Sequence, residues 1–201
     1  MGLFDKLKRN KKAEQSSEKS TYHLTLQINA RLQPLDRGDI YEDPIAAALE
    51  VCACGTTSGG GTMMHKGGEI VYCDVEIELN DNSKDSMDKL LGVLDEVHLP
   101  KGSLLISDNL EQPVGTLEGL ALYMNGTELS DDVYSSCDIN YVIEKVNELL
   151  AGAGKMYSHW QGPEDTALYF YGNSFDEMKN IMEPFLSKYP LCQKCRVEKI
   201  A

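Results

Sequence analysis

The sequence has no long apolar run. None of its hydrophobic stretches approaches the roughly 20 residues of a membrane-spanning helix. The opening "MGLFDKLKRNKKAEQSSEKS" has no apolar core of the kind a secretory signal needs, so a cytoplasmic location is expected. With no export signal, reduced thiols are expected for Cys52, Cys54, Cys73, Cys137, Cys192 and Cys195. Lys6 stands where an N-myristoylation pattern requires serine or threonine.

Basic residues are also scarce after the first 20 positions. Residues 1–20 carry six basic and three acidic groups, while the remainder carries 13 basic and 29 acidic groups, a net charge of −16. So acidic a body repels nucleic-acid phosphate, which disfavours direct DNA or RNA binding. It would attract a basic partner and meet it quickly. The simpler reading is that the charge serves solubility. The basic tail, residues 1–20, reads as disordered, with Leu3, Phe4 and Leu7 on a possible helical turn. That patch beside lysines gives at best marginal membrane contact.

A repeat organises the rest. "NSKDSMDKLLGVL" from Asn82 matches "NSFDEMKNIMEPF" from Asn173, with identities at Asn82/Asn173, Ser83/Ser174, Asp85/Asp176 and Met87/Met178. "LTLQIN" from Leu24 resembles "LALYMN" from Leu120, and "GTMMH" from Gly61 resembles "GKMYSH" from Gly154. Two copies of one unit are expected, residues 22–107 and 117–201, joined by a linker at 108–116.

Each copy reads strand, helix, strand, strand, helix, strand. Leu24, Leu26 and Ile28 alternate with polar residues, and so do Leu120, Leu122 and Met124 with Ala121, Tyr123 and Asn125. In "YCDVEIEL", Cys73, Val75, Ile77 and Leu79 face one way; Asp74, Glu76 and Glu78 face the other. In "DTALYFYG", Thr166, Leu168 and Phe170 oppose Asp165, Ala167, Tyr169 and Tyr171. The first helix of copy one is expected to start at Asp43 as N-cap with Pro44 at N1, and its counterpart at Asp138. Ser174 with Glu177 suggests a capping box, and Pro184 should kink or shorten the last helix. The fold class expected is α+β, a tandem duplication of the ferredoxin-like βαββαβ unit with antiparallel sheets.

The stretch "GKMYSHWQGPEDTALYFYGNSFDEMKNIMEPFLSKYPL" resembles the family of the regulator of ribonuclease E activity B and related ferredoxin-like bacterial proteins. The resemblance covers residues 138–200 and rests on element order and aromatic placement. It implies a small cytosolic protein that works by binding another protein, a nuclease in the named regulator. Similar acidic folds occur among bacterial immunity proteins that block a toxin. No family motif maps binding residues onto this chain.

Candidate chemistry is thin. The run "CGTTSGGGTMMH", Cys54–His65, has the small residues of a phosphate cradle, but it follows a helix and precedes a strand. The nearby helix terminus is therefore the carbonyl end, which repels anions. It is expected to be a flexible helix-to-strand connector, with Gly55 as C-cap. "CQKC" has a metal half-site spacing, but "CAC" is a poor partner for it, so no metal and no cofactor are expected. His65 and His159 fall at matching places without a nucleophile or carboxylate at motif spacing, so no catalytic residue is assigned.

Two surfaces remain as partner-binding candidates. One is the acidic row Asp74, Glu76 and Glu78, which could equally be plain solvated sheet. The other is the aromatic group Tyr123, Tyr169 and Tyr171 with Trp160 at the hairpin. Those rings could equally pack against the first copy, and then a partner site must lie elsewhere. The sequence thus points to a non-enzymatic protein-binding module, in its finer form an inhibitor or immunity-type protein acting on a basic partner such as a nuclease or toxin. The alternative is a small-molecule binder or enzyme using a cleft between the copies, where His65, His159 and Trp160 would converge.

Overall fold

The computed structural model describes residues 21–201. The expected tail and its possible membrane contact lie outside them. Two antiparallel sheets form, each with the strand order of a ferredoxin-like unit. The first contains β1 (Tyr22–Ile28), β2 (Gly55–Met64), β3 (Ile70–Leu79), β4 (Ser103–Ser107) and β5 (Leu110–Val114), in the order β2-β3-β1-β4-β5. The second contains β6 (Glu118–Asn125), β7 (Gly154–Gln161), β8 (Asp165–Gly172) and β9 (Arg196–Lys199), in the order β7-β8-β6-β9. Apart from β5 the two orders are the same, so the chain is an α+β tandem of ferredoxin-like units. β5 occupies residues expected as linker and extends the first sheet through a hairpin with β4.

The helices follow the periodicity. In the first repeat these are α1 (Pro34–Arg37), α2 (Asp43–Val51) and α3 (Lys84–Glu96). Ile45 and Leu49 of α2 and Leu90 and Leu94 of α3 pack on Leu24, Leu26, Ile28, Val75 and Ile77. In the second, α4 (Asp131–Ser136) precedes α5 (Ile139–Leu149) and α6 (Phe175–Leu186). Val142, Val146, Met178 and Met182 cover Leu120, Leu122, Leu168 and Phe170. The duplicated serines do the same work: Ser83 accepts from the Ser86 N–H and Ser174 from the Glu177 N–H, each capping its helix. Asp138 caps α5 through the Asn140 N–H. Helix α6 ends two residues after Pro184, consistent with a proline near its last turn.

Three further expectations change. The first helical segment begins at Pro34, not Asp43: α1 runs through a π turn at Gly38–Glu42 into α2, and Asp43 has helical dihedrals rather than the extended ones of a cap. The glycine run is not a connector. Gly55–Met64 is a ten-residue strand paired along β3, with a bulge between Thr57 and Gly59. Finally, Cys52 and Cys54 are joined as a disulfide where α2 passes into β2, rather than standing as two thiols.

Candidate functional site

The aromatic candidates lie inside the molecule. Tyr169 is 0% exposed, Tyr171 2% and Tyr123 6%. Their face of the second sheet, completed by Ala121 and Ala167, belongs to the same core as the helices and strands of the first repeat. The other face of β6 and β8 carries the second repeat's own core. Both central strands are therefore covered on both sides. Tyr123, Tyr169 and Tyr171 cannot form a docking surface, because their rings are already spent on joining the repeats.

The junction has a polar centre that sequence reasoning did not find. One Glu69 carboxylate oxygen accepts from the Tyr123 hydroxyl at 2.6 Å, from the Tyr169 hydroxyl at 2.9 Å, and from the Arg31 guanidinium. Arg31 also stacks over the Tyr169 ring and donates its backbone N–H to the Tyr171 hydroxyl at 2.9 Å. Burial, then acceptance by Glu69, pushes the Tyr123 phenol up to about 12. The same causes raise Tyr169, and burial raises Tyr171. Arg31, Glu69 and the hydroxyls of Tyr123, Tyr169 and Tyr171 each have a partner, which is what makes burying a charge tolerable. Arg31 and Glu69 are 38 positions apart and match no motif, so only the folded chain reveals the pair.

The cleft imagined between the repeats is occupied by this packing. Trp160 is partly buried against the first core, and its indole nitrogen lies against Gly68 of the β2–β3 hairpin. His65 and His159 are exposed, and Gln33 reaches the His159 backbone carbonyl rather than its ring. Four surface cavities, of about 540, 400, 300 and 260 Å³, are lined by other residues. None of the four is lined by His65, His159 or Trp160.

Among the described residues no three or more His, Cys, Asp or Glu side chains gather in a metal-binding group. Cys192 is buried, and burial pushes its thiol up to about 12, away from the thiolate that redox chemistry or metal ligation requires.

The acidic row remains in the open. Register places Asp74 beside Gln27, Glu76 beside Thr25 and Glu78 beside His23, all on the face of the first sheet away from its helices. β4 and β5 continue that face with Leu104, Ile106, Glu111 and Pro113. On the opposite flank β2 contributes Thr56, Gly59 and Gly61. Glu76 is exposed and accepts from the Thr25 hydroxyl at 3.0 Å; Glu78 lies 3.7 Å from the His23 ring. Burial, and next the Glu76 charge, raises the Asp74 carboxyl, and one of its oxygens has no hydrogen-bond partner. An open groove of about 540 Å³, lined in part by His23, Thr25, Glu76, Ile106 and Asp108, is continuous with this face.

The five strands of the first sheet contain no lysine and no arginine, yet carry Asp74, Glu76, Glu78 and Glu111. The second sheet differs, with Lys155, Arg196 and Lys199 among its strands. Among the described residues, charge of one sign is thus concentrated on the sheet face that no other element covers.

Comparison with known proteins adds little. No family model matches the chain, and no curated protein matches it. A structure of the first two RRM domains of yeast poly(U)-binding protein aligns over 90% of this chain and 99% of its own, at 9% identity and a TM-score of 0.26. A likeness at that level supports no argument, and the fold assignment rests on the strand orders above. No helix among the described residues is long and apolar enough to cross a membrane.

Proposed function

We propose that this chain is a non-enzymatic cytosolic module that binds a basic protein through the outer face of its first sheet. In its finer form it is an inhibitor or immunity-type antidote whose partner is a basic nuclease or toxin. One observation carries the reading: the uncovered sheet face holds four acidic side chains in strands without a lysine or arginine. Arg37, reaching β2 from α1, offsets part of the charge at Asp74; the remaining acidic residues repel one another, and a basic partner relieves that repulsion while speeding encounter. Asp74 already feels it, since Glu76 helps to raise its carboxyl. Leu104, Ile106 and Pro113 give the same face an apolar flank, suited to the less polar centre of an interface.

Affinity capture from extract of the native cell tests this. Wild-type protein should retain a stoichiometric basic protein that elutes with salt, and a Glu76→Lys, Glu78→Lys variant should lose it. Retention of the same proteins by both forms would count against the acidic face, and no stoichiometric protein at all against the binding reading.

A further inference from the structure

β2 closes one edge of the first sheet and, among the described residues, pairs with β3 alone. Exposed edges are normally protected by charged side chains, prolines or pronounced bulges. β2, "GTTSGGGTMM", has ten residues with no charge and no proline; its pairing with β3 is irregular at both ends, between Thr57 and Gly59 and between Met63 and Met64, and regular from Gly59 to Met63. Arg37 donates to the Gly61 carbonyl at 3.0 Å, so Gly61 turns its backbone groups toward the free edge. In an antiparallel ladder every second residue does the same, which adds Gly59 and Met63. The Gly61 carbonyl keeps a second lone pair beside Arg37.

Gly59 and Gly61 are also the residues opposite Glu76 and Asp74 on the outer face. Having no side chains, they leave a trough between the free edge and the acidic row. A strand added beside β2 would lie two strand spacings, about 10 Å, from β3. Side chains opposite Gly59 and Gly61 would project onto this face, where no β2 side chain stands between a long cationic stem and the carboxylates; Arg37, bonded to the Gly61 carbonyl, makes Glu76 the more favourable target of the two.

We propose that the partner is engaged by strand addition: an extended segment with basic residues at alternate positions pairs with β2 and lays those side chains over Gly59 and Gly61 onto Glu76 and Asp74. Backbone pairing supplies affinity and the alternate side chains supply specificity. This rests on the acidic-face reading and adds a binding mode to it. A second copy of the chain is a poorer occupant, because each copy carries a net charge of −13.

The probe is a ten-residue peptide alternating lysine and threonine, titrated into the full chain and followed by amide NMR and calorimetry. A control peptide is N-methylated at its lysine amides, which keeps the charge and removes the pairing hydrogen bonds. The expected result is slowed exchange at the Gly59, Gly61 and Met63 amides, and binding about tenfold or more weaker for the methylated peptide. Gly61→Val should weaken the parent peptide while leaving melting unchanged or raised, because an added Cβ meets only Asp74 Oδ2 at 3.8 Å. Equal binding of both peptides, abolished by Glu76→Lys, would overturn strand addition and leave the acidic face standing. Binding of neither peptide by a monomeric chain overturns both readings. Self-association with β2 amides protected would overturn the basic occupant in favour of a second copy.

Discussion

Gly60 and Gly61 are adjacent in sequence and opposite in tolerance. A Cβ on Gly60 would stand 2.2 Å from the Asp74 carbonyl oxygen and 3.2 Å from the Arg37 guanidinium. Arg37 uses that space to reach Gly61 and Thr62 while pairing with Glu42. Gly60→Val should therefore cost about 2–3 kcal/mol by overpacking, whereas Gly61→Val should be neutral or better; urea denaturation of both variants checks the contrast. Glu69→Ala makes a second case. It strips the half-buried Arg31 of its carboxylate and leaves two phenols without an acceptor. A loss of about 2–3 kcal/mol is expected by denaturant unfolding, below the full range for a buried pair because Arg31 retains some solvent contact. None of this was legible beforehand. A glycine run carries no periodicity, and a lone arginine and glutamate in two loops carry no spacing.

Among the elements, those with strong periodicity were readable. β3 alternates cleanly, and α5 keeps Val142, Val146 and Leu150 on one stripe, so both formed where expected. The acidic row was legible for the same reason, since alternation sets Asp74, Glu76 and Glu78 against Val75, Ile77 and Leu79. β2 failed that reading because small residues hide the period of two, although its partner β3 dictates the pairing. The helix start at Pro34 was missed because apolar spacing is broken between Leu35 and Ile45 by the charged turn "DRGD". The serine caps were visible as repeated residues, and they make a quantitative test. Ser174→Ala should cost about 1 kcal/mol through loss of its bond to the Glu177 N–H, measured by thermal unfolding against Ser174→Asp as the rescuing change.

For the whole molecule, alternation in "DTALYFYG" foretold an apolar second face but not what would cover it. The first repeat covers it, with Tyr41, Tyr157 and Tyr171 in ring contact across the junction. Stability should therefore fall at high pH. Folded Tyr123 holds its proton up to about 12, whereas an unfolded tyrosine releases it near its ordinary value of 10.0. Above pH 10 the unfolded state binds fewer protons, so the folding equilibrium shifts against the native chain between those two values. Tyr169 and Tyr171 shift the same way and extend the effect. Denaturant midpoints from pH 8 to 11 should decline above 10, with less decline in Tyr123→Phe if the protein still folds.

Sealing one sheet face leaves the other as the surface free for a partner, and the central claim is that a basic protein sits on it. Zero-length carbodiimide coupling in native-cell extract, read by mass spectrometry, tests that most directly because it joins carboxylates to lysines in contact. The account predicts cross-links from one partner's lysines to Glu76, Glu78 and Glu111 of the open face. Cross-links confined to helix-side acids such as Asp85, Asp95, Glu144 and Glu148, or none to any protein, would contradict it.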